Sequence, residues 1–281
     1  MSRSTPKPRP SKNDPTATAP TLPPLLKWLG GKRWLVPDLA ALYAGHRHRR
    51  LVEPFCGGLA VALGLRPERA LLNDANPHLI NFYTWVQRGL EIALDLANDA
   101  ATYYRHRERF NALISQGGAE SAEAASLFYY LNRTGFNGLC RFNRKGAFNV
   151  PFGRYRGIRY ADSFEGHRRE FTPWAFTSID FGYLLLDADD FVYADPPYDA
   201  AFSQYGAEGF SWDDQVRLAH WLVRHPGPVV LSNHDTDRVR RLYQDLRFRI
   251  VLLHAPRRIS ANGDRTSARE LLALRNVEGC G

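Results

Sequence analysis

Val192-Tyr193-Ala194-Asp195-Pro196-Pro197-Tyr198 is the stretch on which the reading of this chain turns. An apolar, strand-like run ends on a carboxylate and meets two prolines and an aromatic ring. The prolines fix φ and supply no N–H, so the backbone after Asp195 is stiff and its carbonyls have few local donors. An acceptor carboxylate, an acceptor carbonyl and a flat ring are thereby held in one small space. That set suits an exocyclic amino group on a planar heterocycle. A turn that serves structure alone is the other reading of the bare tetrapeptide.

The same pattern, an apolar run closing on an acid, recurs outward from this stretch. Arg50 to Phe55 reads as a buried strand entering a turn at Cys56-Gly57-Gly58, with a short apolar helix from Leu59 to Leu65. Ala70 to Asp74 and Phe176 to Asp180 repeat the pattern, and Pro228 to Asn233, Arg249 to Leu253 and Glu270 to Leu274 supply later strands. A helix over Asp213 to Val223 follows the capping signal Ser211-x-x-Asp214. Apolar strands alternating with helices predict an α/β fold, a Rossmann-like, mostly parallel sheet covered on both faces. Ligands bind beyond the carboxyl ends of such strands, where Asp74, Asp180 and Asp195 would gather.

From 78 to 171 the alternation stops. Leu79, Phe82, Tyr83, Val86, Leu90 and Leu94 recur at helical spacing, then Leu127, Tyr130 and Leu131. A loop-rich basic segment follows, carrying Arg133, Arg141, Arg144, Lys145, Arg154, Arg156, Arg159, Arg168 and Arg169. We expect a mostly helical insert at 78–171 between two parts of one sheet domain, 25–77 and 172–281. Residues 1–24, rich in Pro, Ser, Thr and basic side chains, read as a disordered basic tail.

A formal charge of +8 over 281 residues suits a polyanionic partner, with nucleic acid as the default reading and a basic tail as the bland one. Cys56, Cys140 and Cys280 are far apart and lack metal-ligand spacing, which fits a reducing cytoplasm and predicts neither disulfides nor structural zinc. No apolar run approaches the roughly 18 residues of a membrane span.

Two further motifs carry candidate chemistry. In Lys27-Trp28-Leu29-Gly30-Gly31-Lys32 the glycines allow close backbone approach, Trp28 offers a ring face and Lys32 a cation for a carboxylate; a packed aromatic beside a turn is the plainer reading. Glu53-Pro54-Phe55-Cys56-Gly57-Gly58 is neither the Gly-x-Gly-x-x-Gly fingerprint nor a P-loop, which argues against a dehydrogenase and for a ligand without phosphates. Asp74 is placed either to accept from ribose hydroxyls or to cap the helix after Asn73-Asp74-Ala75-Asn76-Pro77.

The Asp-Pro-Pro-Tyr run resembles the signature of amino-methyltransferases acting on adenine N6 or cytosine N4 in DNA. From Leu26 onward the chain resembles the Dam family of DNA adenine methyltransferases (D12 class). The matching blocks, in the family's order, are Leu26-Lys27-Trp28-x-Gly30-Gly31-Lys32, Glu53-Pro54-Phe55, Asn73-Asp74-x-Asn76, the long run from Tyr130 to Asn143, Phe148 to Gly153, Asp195-Pro196-Pro197-Tyr198 and Ser232-Asn233-His234-Asp235. The run around Asn137 is the most specific of these.

The resemblance implies a site-specific enzyme that transfers a methyl group from S-adenosylmethionine to N6 of a flipped-out adenine in double-stranded DNA, without a metal. It implies a cofactor site lined by Trp28, Gly30, Lys32, Asp74 and Asp195, with Phe55 and Gly57 as its floor and Asp180 and Phe181 near the cofactor adenine. Asp195, Pro196 and Tyr198 would hold the target base. Lys27, Arg133, Asn137, Leu139, Arg141 and Pro151 would meet DNA, Arg141 as a bidentate partner of guanine. A monomer is implied, acting alone or beside a companion restriction endonuclease, on a GATC-like site. An N4-cytosine enzyme and a catalytically silent DNA-binding regulator on the same fold are the alternatives. Two departures stand out: the family's Phe-x-Gly-x-Gly becomes Phe55-Cys56-Gly57-Gly58-Leu59, and Ile259-Ser260-Ala261-Asn262-Gly263-Asp264-Arg265 keeps only the first part of a family-like core.

Overall fold

The computed structural model describes residues 22–198, 209–255 and 268–277. Most of the expected tail, the loop from Ile259 to Arg265 and Cys280 lie outside these residues. Among the described residues, seven strands form one sheet in the order β3-β2-β1-β4-β5-β7-β6. Strands β1 (Leu51–Glu53), β2 (Ala70–Asn73), β3 (Trp174–Thr177), β4 (Phe191–Ala194) and β5 (Val229–His234) run parallel. Strand β6 (Arg249–Ala255) is the far edge, and β7 (Ala268–Arg275) slots antiparallel between β5 and β6. The order reverses between β1 and β4, which opens a crevice at their carboxyl ends, the usual place for a ligand.

Strand residues alternate between two apolar layers. Leu51, Leu72, Phe191, Tyr193, Val230 and Leu272 pack with α1 (Val36–Tyr43), α2 (Ala60–Leu65), α3 (Pro77–Arg88), α4 (Ala100–Ser115), α5 (Ala122–Thr134) and α6 (Glu165–Phe171). Val52, Leu71, Val192, Ala194 and Leu231 face α7 (Trp212–Val223) and α8 (Asp237–Asp245). One continuous core therefore runs from the sheet into the helices between β2 and β3. Leu22 approaches Gly166, and the Pro23 carbonyl accepts from His167 Nε2 at 2.8 Å, so the chain is already anchored there.

Local chemistry sets the helix ends. Asn76 caps α3 by accepting from the His78 and Leu79 amides. Ser211 and Asp214 form the expected capping box of α7, each side chain bonding the other's backbone. The helical spacing read through Leu90 and Leu94 is corrected here: α3 stops at Arg88, because Gly89 takes a left-handed φ of 93° and turns the chain away. Asp180 likewise falls three residues beyond the end of β3, where it opens a short helical turn rather than closing the strand.

His78 joins α3 to a hairpin-like turn between Phe142 and Phe148. Its ring stacks on Phe142 (4.9 Å, 22°) and meets Phe110 edge-on. Burial holds its pKa down from 6.5 to about 4. Between those two pH values the unfolded chain binds a proton that the folded chain excludes, so stability falls as pH drops through 6.5 and levels below 4. At most about 3 kcal/mol is at stake for this group. His78→Phe is expected to flatten that part of the melting-temperature profile; an unchanged acid slope in the variant contradicts the assignment.

Candidate active site

The crevice between β1 and β4 is framed by short loops whose shapes are fixed by a few polar groups. Asn73, fully buried, ties three strand ends together through four hydrogen bonds. Its amide donates to the Pro54 and Ile179 carbonyls (2.9 and 3.0 Å), and its oxygen accepts from Thr177 Oγ1 and the Ile179 amide (2.9 and 3.0 Å). Asp74, next in sequence, accepts from the Gly57 amide at 3.0 Å with one oxygen and from the Asn76 amide at 3.0 Å with the other. Helix capping thus falls to Asn76, and Asp74 instead organises the loop after β1.

That loop is tight. At Gly57 (φ 43°) a Cβ would stand 2.6 Å from Trp28 Nε1, so only glycine lets the indole lie against the backbone. Leu59 stands where the family pattern has its second glycine and still adopts the left-handed conformation (φ 58°, ψ 24°). The strain of roughly 1–2 kcal/mol is offset by complete burial of its side chain. The loop therefore keeps at Leu59 the left-handed shape a glycine would adopt, with an apolar anchor added.

Across the crevice, Asp195 follows β4 directly. Its Oδ1 accepts from Ser232 Oγ on β5 at 2.7 Å and pairs with Lys32 Nζ at 3.1 Å. Lys32 is 5% exposed, donates to the Gly30 carbonyl at 3.0 Å, and stands 4.0 Å from Glu270 Oε2 on β7 and 4.5 Å from the Tyr198 ring centroid. Tyr198 donates to the same Glu270 oxygen at 2.7 Å. Burial pushes both the Tyr198 hydroxyl and the Glu270 carboxyl upward, while Lys32 pulls Glu270 back. The Pro197 carbonyl accepts from Gln215 on α7 at 2.8 Å, which pins the Pro-Pro turn to the opposite layer. Glu53 is buried at the end of β1 and raised well above the carboxylate range by burial and by Asp195; its Oε1 has no partner among the described residues.

Lys32, Asp195, Pro196 and Tyr198 are thus brought together, and Trp28, Gly57 and Asp74 are joined through the neighbouring loop. Phe55 and Phe181 pack together at 5.6 Å. Asp180 stands apart from this group: Arg217 clamps both its oxygens (2.6 and 2.8 Å) while covering the Phe181 ring at 4.0 Å. Glu53 and Ser232 lie in motif blocks, though the sequence assigns them no site role, and Glu270 reads there only as the start of a strand. A carboxylate opening the otherwise apolar run Leu271 to Leu274 was the available signal for Glu270.

The basic face is built on the turn after α5. Asn137 is exposed at φ 52°, with exposed Phe136 before it and half-buried Leu139 after it. Arg141 is exposed and oriented by Asn149, whose side-chain oxygen accepts from Nε at 2.8 Å and whose carbonyl accepts from Nη2 at 3.4 Å. Pro151, also exposed, gives its carbonyl to the Phe136 amide at 2.9 Å. Lys27 and Arg133 sit behind this surface. Lys27 donates to the Arg133 carbonyl at 2.7 Å and lies 3.6 Å over the Tyr155 ring, and burial with the Arg133 charge lowers its pKa to about 8. Arg133 donates to the Leu25 and Arg159 carbonyls.

The model of the D12 class N6 adenine-specific DNA methyltransferases matches residues 28–259, spanning the crevice and the basic turn. The chain belongs to this family. It is 38% identical over 275 residues to a DNA adenine methylase of Vibrio cholerae serotype O1, covering 89% of this chain and 94% of that protein. The DNA adenine methylase of Escherichia coli K12 is 38% identical over 273 residues, with the same coverage. A retron Ec67 DNA adenine methylase of Escherichia coli is 35% identical over 267 residues, covering 89% and 90%. The enzyme is an adenine-specific DNA methyltransferase acting on N6. No helix among the described residues of this methyltransferase is long and apolar enough to cross a membrane.

Methyltransferase families of this kind draw in general on S-adenosylmethionine, and the crevice suits it. The zwitterionic end of that molecule needs a cation beside an anion, which the Lys32–Asp195 pair offers. Its ribose needs an acceptor, which Asp74 offers beside a glycine backbone. The orphaned Glu53 oxygen adds buried acceptor capacity for a cationic group.

Proposed function

We propose that this methyltransferase binds S-adenosylmethionine in the β1–β4 crevice and methylates an adenine extruded from double-stranded DNA at a GATC-like site, acting as a monomer. The observation that carries this reading is the Asp195 carboxylate, fixed by Ser232 and Lys32 at the mouth of the crevice directly beside Tyr198. A stacked base cannot reach a methyl donor, so the adenine must leave the helix.

Adenine N6 is a weak nucleophile because its lone pair is delocalised into the ring. Tyr198 stacks on the extruded base, and the Asp195 carboxylate and Pro196 carbonyl accept from the two N6 hydrogens. Those bonds favour a more tetrahedral nitrogen with its lone pair aimed along the transfer line, and as N6 gains the methyl group it gives up one of its hydrogens as a proton to solvent. When bound, the cofactor supplies a methyl group on a positively charged sulphur. Lys32 holds its carboxylate and Asp74 its ribose hydroxyls, with Trp28, Gly30, Phe55 and Gly57 shaping the floor. Phe181, behind Phe55, backs the adenine end; Asp180 acts there only by holding Arg217.

Residues 78–171 form the target-recognition part and 25–77 with 172–281 the catalytic part. Asn137, Leu139, Arg141 and Pro151 approach the bases, while Lys27 and Arg133 brace their turn from behind. The test is incubation of the purified enzyme with labelled S-adenosylmethionine and a DNA library, followed by methylation-sensitive sequencing. Label on adenine N6 within one short GATC-like motif is expected. Label on cytosine N4, or none despite calorimetrically intact cofactor binding, overturns the reading.

A further inference from the structure

Glu270 lies outside the residues assigned to cofactor, base or DNA, yet it is built into the site. Its Cα is held on both sides by the ladder, opposite His234 of β5 and Leu253 of β6. The residue is 8% exposed, which is unusual for a carboxylate without a bidentate partner. Its Oε2 accepts the Tyr198 hydroxyl at 2.7 Å and lies 4.0 Å from Lys32 Nζ. One ammonium thus stands between two carboxylates, Asp195 at 3.1 Å and Glu270 farther off. The His234 ring, from the strand position paired with Glu270, also touches Tyr198 (4.6 Å, 58°).

The Tyr198 ring stands directly after a Pro-Pro turn that constrains its backbone but leaves its χ angles free. Its plane is set by what holds the far end of the ring, and among the described residues the hydroxyl's hydrogen-bond partner is Glu270. A stacking ring that tilts moves the base it carries, and displacement of about 1 Å at a reacting centre can cost 10²-fold.

We propose that Glu270 is a positioning residue for methyl transfer: by accepting the Tyr198 hydroxyl it sets the plane of the ring on which the extruded adenine stacks. The inference rests on the reading that Tyr198 stacks on the base. Glu270 touches neither the base nor the methyl donor, so its loss acts on the chemical step more than on assembly of the complex.

The test compares Glu270→Ala, Glu270→Gln, Tyr198→Phe, Tyr198→Ala and the Glu270→Ala/Tyr198→Phe double variant. Steady-state rates are measured with saturating duplex and S-adenosylmethionine. Fluorescence of 2-aminopurine at the target position reports extrusion and stacking. Glu270→Ala and Tyr198→Phe are each expected to lower kcat about 10- to 100-fold with KM for DNA and cofactor within about twofold. The double variant should fall no further, because both changes delete one interaction. Glu270→Gln, whose amide oxygen still accepts, should restore kcat to within about threefold of wild type.

Tyr198→Phe keeps the ring and the fold even where Glu270→Ala does not. Wild-type kcat in Tyr198→Phe, additive losses in the double variant, or loss confined to KM overturns the proposal. Unchanged 2-aminopurine signal in Tyr198→Ala instead overturns the stacking reading beneath it.

Discussion

Asp195→Ala is expected to abolish methyl transfer, lowering kcat on the order of 10³-fold while DNA binding persists. In the proposed mechanism the carboxylate is the acceptor for an N6 hydrogen, and neither Ser232 nor Glu270 stands where it could replace it. Alanine also strands Lys32, which is 5% exposed and would keep only the Gly30 carbonyl and Glu270 at 4.0 Å. Breaking a buried pair this way can cost about 3–5 kcal/mol of stability. Asp195→Asn separates the two effects. Its oxygen still accepts from Ser232, but its NH2 turns an acceptor into a donor facing the N6 hydrogens. Catalysis should fall as far as in Asp195→Ala, with a melting temperature nearer wild type. Incorporation of label from methyl-labelled S-adenosylmethionine into duplex gives the rate, filter-binding of labelled duplex the DNA affinity and thermal unfolding the stability; near-normal turnover in either variant removes Asp195 from the mechanism.

Arg141→Ala is expected to relax specificity at one base pair by about 1–3 kcal/mol, or roughly 5- to 150-fold in the ratio of kcat/KM for cognate and singly altered duplexes. The geometry favours base reading because Asn149 fixes one edge of the guanidinium and leaves the exposed remainder rigidly presented. A phosphate contact would not need such orientation. A uniform fall across all duplexes, with a shallower salt dependence, marks Arg141 as a backbone contact instead. Asn149→Ala should reproduce part of the loss by freeing the fork.

The sheet was legible because its inner parallel strands are buried on both faces and so read as short apolar runs, each followed by an acid or a turn. Asp74 and Asp195 directly after β2 and β4, and the Ser211–Asp214 box, follow from local chemistry that a sequence displays. The reading overran at α3, where apolar spacing continued through Leu90 and Leu94 although Gly89 had turned the backbone. It also placed Asp180 on a strand end that stops at Thr177. Spacing reports which side chains prefer burial, not where the backbone changes course. The antiparallel place of β7 and the role of Glu270 were illegible for another reason. Which strand lies beside which is settled by pairing between distant residues, and nothing in Arg269-Glu270-Leu271 names Tyr198 as its neighbour. Similarly, nothing in the sequence shows that Lys27 donates to the Arg133 carbonyl and Arg133 to the Leu25 and Arg159 carbonyls beside the turn after α5.

The placement of β7 between β5 and β6 carries a consequence for synthesis. Residues 32, 195 and 198 leave the ribosome well before residue 270, so a nascent chain carries every reactive group while the hydroxyl of its aromatic platform is still untethered. Chains cut short before 268 would present two naked strand margins, at β5 and β6, as adhesive surfaces for other chains. Incomplete translation products would therefore be poor catalysts with exposed strand edges.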